Sequence, residues 1–247
     1  MIEALGALVS AGCVPAGLVE SLACPALRPI AYDRTPNVRE ALFVAVAKWL
    51  GYSRGEGQEG TADIIEAASS MERPSPTITA CLLPLLLVGV TDPSAPLAAT
   101  ALTLVEGVGQ VWRMSDRCSE QPETADAAAE AAAAACQLGP PFTGRPGRGA
   151  RGLVRELLPL LLQPLLAEVS EWTVALRSAA SRQLHTVLVL GESGVAPQLP
   201  RLLPLLCTAI GDDDAEVAAR IIASVHVVGS HVEPRTWLPL MLDNISK

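Results

Sequence analysis

An all-α fold built from stacked antiparallel helix pairs is predicted for this 247-residue chain by three observations. Half of the residues are hydrophobic but only 3% are aromatic, with Ala and Leu dominant, which suits helices and disfavours a β-sandwich. A short phrase recurs: Leu82-Leu83-Pro84-Leu85-Leu86, Leu157-Leu158-Pro159-Leu160-Leu161, Leu202-Leu203-Pro204-Leu205-Leu206 and a weaker Trp237-Leu238-Pro239-Leu240-Met241. Each of the leucine-rich copies is followed by a short acidic or Pro-containing turn that opens a second aliphatic stretch at helical spacing. The prolines lie 75, 45 and 35 residues apart. The excess over a repeat of about 35–45 residues falls in polar or Gly/Pro-rich sequence, as insertions in a repeat array do.

Residues 1–12 contain Ile2–Val9, read as the remnant helix of an upstream repeat. The next repeat, 14–50, has a degenerate phrase at Cys24-Pro25-Ala26-Leu27, a turn at Asp33–Asn37 and a second helix with Val38, Leu42, Val46 and Trp49 on one face. A Gly/Glu-rich insertion follows at 51–76, with a short helix expected at Ala62–Ala68. The repeat at 77–112 turns at Thr91–Pro96. The insertion at 113–150 begins acidic, passes through an Ala tract and ends Gly/Pro/Arg-rich. Repeats at 151–191 and 197–230 turn at Glu168–Thr173 and Gly211–Asp214, and the last places Val217, Ile221, Val225 and Val228 on one helical face. A lone first helix at 234–247 closes the chain, so both ends are expected to cut a repeat.

Proline inside each first helix removes a backbone hydrogen bond and bends it at the same place in every unit. That pattern specifies a HEAT/armadillo-like α-solenoid rather than tetratricopeptide or ankyrin repeats. Leu160 and Leu205 are expected between the repeats, where an introduced carboxylate would be buried unpaired.

The rest of the composition excludes function classes. The formal net charge is −8, so a nucleic-acid binder is disfavoured, and the excess of Arg over Lys, 16 to 2, reflects GC-rich coding. Six cysteines, at 13, 24, 81, 118, 136 and 207, include no CxxC pair and read as free thiols. Pro74–Thr91 carries no charge over 18 residues, but its prolines, Ser and Thr make it a buried helix, not a membrane span. Glu3 stands where a secretory signal requires a basic residue.

His226 and His231 are five apart, off the register that places two imidazoles on one face, so neither metal nor cofactor is expected. Gly191-Glu192-Ser193-Gly194 lacks the spacing of a nucleophile elbow and reads as a loop. Gly107-Val108-Gly109 lacks the third glycine of a dinucleotide fingerprint. Asp212-Asp213-Asp214 suits a helix N-terminus, where carboxylates meet the positive end of the helix dipole. The basic residues Arg145, Arg148, Arg151 and Arg155 form a candidate partner-binding loop for an acidic partner. Asp33–Arg39 and Glu171–Arg177, each six apart across a turn, read as structural turn pairs.

The order of these features resembles the dynein axonemal assembly factor 5 family, also known as HEAT repeat-containing protein 2. The resemblance rests on Ile2–Val9, on Pro36-Asn37-Val38-Arg39-Glu40-Ala41 with Lys48-Trp49-Leu50, and on Leu83–Leu87 with Val108-Gly109 and Trp112. It continues through Pro140-Pro141, Arg145-Pro146 and Arg155-Glu156-Leu157 to Glu171-Trp172-Thr173-Val174, Arg177 and Val227–Val232. It implies a non-enzymatic cytoplasmic scaffold, without cofactor, that binds axonemal dynein heavy or intermediate chains and chaperones during preassembly for cilia or flagella. The alternative is another solenoid scaffold, a nuclear transport adaptor or a phosphatase regulatory subunit. An adaptor would pair spaced Trp with Asn along its groove. Trp49, Trp112, Trp172 and Trp237 occupy different helix positions and lack that partner.

Overall fold

The computed structural model describes residues 14–52, 75–115 and 138–245. The expected remnant helix at Ile2–Val9, the helix at Ala62–Ala68, the Ala tract and Cys13, Cys118 and Cys136 lie outside them. Every regular element among the described residues is helical. They group into two compact units, one holding 14–52, 75–115 and 147–153, the other 138–146 and 154–245.

The first unit opens with a helical run over 16–32, here α1, whose hydrogen-bond register changes three times. It is α-helical at Ala16–Leu18, π-helical at Val19–Ala23, α-helical at Cys24–Leu27 and 3-10 at Arg28–Tyr32. Pro25 and Pro29 have no N–H to give, so the regular ladder cannot pass through them and the helix widens and tightens around them. Helix α2 (Pro36–Trp49) starts on a proline, whose missing N–H costs nothing at that position. It ends at Gly51, where φ is +89° and Tyr52 N–H closes onto Ala47 O at 2.9 Å. Ser75 caps α3 (Pro76–Val90) by accepting from Ile78 N–H at 3.2 Å. Helix α4 (Ala95–Ser115) returns beside it.

Helices α2, α3 and α4 pack on one another, and α1 lies against α3. Their shared interior is Leu42, Phe43 and Val46 with Leu82, Leu83, Leu86, Leu87, Leu104 and Val105. Val38, expected on this face, is exposed instead, because the buried stripe starts one turn later, at Leu42. The first turn of α5 (Arg148–Val169) closes the unit across α4. A methyl built on Gly109 would sit 2.2 Å from Ala150 N, and one on Gly149 would sit 2.5 Å from the Gly109 carbonyl carbon. Only a pair of glycines permits backbones this close. Gly109 therefore serves a helix crossing.

The second unit contains the remainder of α5, then α6 (Val174–Gly191), a 3-10 turn at Glu192–Gln198, α7 (Leu199–Ala209), α8 (Ala215–His231) and α9 (Pro234–Ile245). Helix α6 packs against α8, and α7 packs against α8 and α9. The prolines of the recurring phrase, 84, 159, 204 and 239, all lie inside helices. Second helices of successive pairs stack directly, α2 on α4 and α6 on α8. This is the all-α, HEAT-type stacking of helix pairs.

The leucine phrase divides between faces in a way its letters conceal. Leu157, Leu158, Leu161 and Leu162 are buried, whereas Leu160 is 49% exposed. Leu205 is only half-buried, and Leu202, Leu203 and Leu206 hold the core. The inter-repeat role expected of Leu160 is thus filled by Leu161, four residues after Leu157 on the same helical face.

Candidate functional site

Three arrangements of side chains, gathered at or against turns, mark where this chain does more than fill a core. The first is a series of acidic turns. Asp33, Asp92 and Asp212 each accept the backbone N–H two residues on, at 2.7, 2.8 and 2.9 Å. This local bond stops the preceding helix from continuing and sets the chain for the next one. Asp214 then caps α8, accepting from Glu216 N–H and Val217 N–H at 3.0 Å each.

The arginines six residues after the acidic positions do not pair with the carboxylates of their own turns. Arg39 donates to the backbone O of Asp33 at 2.6 Å, and its carboxylate partner is Asp92 of the following turn, held bidentately at 2.6 and 2.8 Å. Arg177 likewise donates to the backbone O of Glu171 and Trp172, and its fork grips Asp212 and Asp213 of the following turn. The turn pairs Asp33–Arg39 and Glu171–Arg177 thus meet through backbone oxygens, and each guanidinium takes its carboxylate from the next turn. A guanidinium long enough to cross the stack ties one turn to the next. Arg177 lowers the Asp212 carboxyl below its ordinary range, reinforced by the Asp214 N–H.

The second arrangement is a buried clasp. Glu192 is 2% exposed, and its carboxylate accepts Arg145 Nε at 2.7 Å and Nη2 at 2.8 Å. Arg155 Nη2 binds the same carboxylate, and Arg155 Nε reaches Gly191 O at 3.0 Å. Arg145's side chain is itself only 4% exposed. Glu192 has φ +46° and ψ −130°, the one non-glycine residue with positive φ among the described residues. That conformation costs about 1–3 kcal/mol and persists only where surroundings enforce it. Two guanidinia do so here.

The candidate basic loop is accordingly split. Arg145 and Arg155 converge on Glu192 in the second unit, while Arg148 and Arg151 belong to the first, Arg148 at the surface and Arg151 buried. For Arg145 and Arg155 the acidic partner is this chain's own Glu192. The loop reading of Gly191–Gly194 missed that carboxylate, whose only sequence signal is an acid between two glycines.

The third arrangement is the open edge of the second unit at 170–176, where every residue is exposed and Trp172 reaches 92%.

Away from these turns, one imidazole and two thiols are held in their neutral forms by burial. Burial pushes His185 down to about 4, with the Arg220 charge adding to it. Its Nδ1 lies 3.3 Å from Ser224 Oγ, which is itself 2.9 Å from Arg220 O. Burial pushes the Cys24 thiol up to about 12, with Cys81 and Glu20 reinforcing it, and Cys24 donates to Cys81 O at 3.3 Å. Among the described residues no three His, Cys, Asp or Glu side chains are grouped to hold a metal ion. No helix among them is long and apolar enough to cross a membrane.

Similarity to known proteins falls on this same architecture. Residues 137–247 match the family model of the dynein axonemal assembly factor 5 HEAT-repeat domain. That stretch takes in the Glu192 clasp, the Trp172 edge and the Arg177 bridge. Over 216 residues, 87% of the chain, it is 29% identical to dynein axonemal assembly factor 5 of Homo sapiens and 26% identical to that of Mus musculus. The Xenopus laevis protein of the same name is 25% identical over the same length. The chain spans 22–23% of the length of these relatives. No solved structure matches it.

Proposed function

We propose that this chain is a non-catalytic scaffold that helps axonemal dynein arms preassemble in the cytoplasm by holding dynein heavy or intermediate chains together with chaperones. The observation that carries this reading is the similarity to dynein axonemal assembly factor 5 along 87% of the chain. The geometry supports the scaffold part of it. Turns tied to turns by Arg39 and Arg177 hold helices at fixed spacing, and the polar clusters serve that spacing. A surface whose shape is fixed before binding loses less entropy when a client docks, as a scaffold requires.

The test is a quantitative affinity capture of the tagged protein from the cytoplasm of a ciliated or flagellated cell. Axonemal dynein chains and chaperones are expected to be enriched over an unrelated solenoid used as control. Enrichment of importin cargo or phosphatase subunits, with no dynein chain, would overturn the dynein assignment and leave the fold untouched.

A further inference from the structure

The four inter-helix turns can be aligned on their acidic residues, Asp33, Asp92, Glu171 and Asp212. The next position holds Arg34, Pro93, Trp172 and Asp213, so one turn presents an indole where the others present a charge or a proline. Trp172 is 92% exposed. A large aromatic left in water at the tip of a turn contributes nothing to the core, and apolar exposure gathered at one place marks interaction sites. Val174 and Leu176 in the following helical turn, and Ile210 at the neighbouring turn, are exposed as well.

The surroundings of the indole are acidic. Arg177 Nη1 holds the Trp172 carbonyl at 2.9 Å while Nη2 holds Asp213 Oδ1 at 2.6 Å, so one guanidinium sets the two turns side by side. The Asp213 side chain is nonetheless 86% exposed and keeps room for a further donor. Glu171, the residue before the indole, is exposed as well.

We propose that this edge docks a linear segment of a partner protein in which an apolar side chain is flanked by lysines or arginines. The apolar residue would cover Trp172 and its aliphatic neighbours. The basic residues would meet Glu171 and Asp213 and lie over the indole face, which attracts cations. Nucleic acid and anionic lipid are disfavoured by the same carboxylates. The inference stands apart from the dynein reading and concerns any client with this chemistry.

Isothermal titration calorimetry on the full chain tests it with three synthetic peptides: Lys-Leu-Lys-Lys-Leu-Lys, its Glu-Leu counterpart and its Lys-Ser counterpart. The Lys-Leu peptide is expected to bind, with the other two about tenfold weaker or worse. Trp172→Ser is expected to weaken the Lys-Leu peptide about tenfold, and Glu171→Gln with Asp213→Asn to flatten its salt dependence, circular dichroism being unchanged. The proposal fails if no peptide binds, if Lys-Ser binds as well as Lys-Leu, or if Trp172→Ser binds like the parent. It also fails if Trp172 is needed instead for self-association in sedimentation, or for binding to an RNA oligonucleotide or to anionic vesicles.

Discussion

Glu192 joins two unfavourable terms, a buried charge and a left-handed backbone, and each explains why the other survives. The carboxylate is stable in the interior because Arg145 and Arg155 surround it, and the backbone keeps φ +46° because the carboxylate cannot leave them. Removing one member of a buried ion pair strands the others at a cost of about 3–5 kcal/mol. Glu192→Ala is therefore expected to lower unfolding free energy by about that much in urea denaturation. Glu192→Gly loses the same pairing but releases the backbone strain, and should cost about 1 kcal/mol less than the alanine variant. Equal losses would show that the backbone carries no strain.

His185 gives the same scale a pH dependence. In the unfolded chain it takes up its proton as pH falls through 6.5, whereas in the folded chain it does so only near 4. Between those values the unfolded state binds more protons, so stability falls as pH falls through that window, by about 3 kcal/mol in total. Above pH 7 the group is neutral in both states and contributes no slope. The difference between parent and His185→Gln unfolding free energies should change across this window and be flat above it. A difference that stays constant down to pH 4 would mean that His185 is protonated in the folded chain.

At the scale of the element, one helix contains a paired control. Leu161 is buried and Leu160, beside it, is exposed, although both stand in the same leucine phrase. Leu161→Ala is expected to cost about 2–5 kcal/mol, and Leu160→Ala to stay within about 0.5 kcal/mol. The crossing of α4 and α5 is stricter still. In Gly109→Ala the new methyl meets backbone atoms of the other helix, which cannot rotate away, so the helices must part. A loss of about 1–3 kcal/mol or more is expected in thermal or urea unfolding, and Gly152→Ala, where a methyl meets open space, serves as its reference.

For the molecule as a whole, the helix pairs were legible because periodicity and the proline phrase report on neighbours close in sequence. Leu42, Val46, Val217 and Ile221 are buried where helical spacing puts them. What sequence could not disclose were contacts whose partners are far away. Spacing points Arg39 and Arg177 at the acids six residues back, whereas their carboxylate partners lie 53 and 35 residues ahead. Glu192 gathers arginines 47 and 37 residues behind it. Nothing in local spacing encodes such distances; the stacking of one pair on the next creates them. The Gly107-Val108-Gly109 string falls short of a dinucleotide fingerprint, and the reason for Gly109 is the backbone 40 residues on.

The exposed edge also gives the chain a built-in optical reporter. Trp49 and Trp112 lie in the dry interior and Trp237 is half-buried, while Trp172 stands in water beside Glu171 and near Asp213. Caesium, drawn to those carboxylates, should quench the red side of the emission, and iodide, repelled by them, should quench it less. That imbalance should shrink as salt screens the field. The quenching lost in Trp172→Phe would thus measure the local potential of this surface without any attached label.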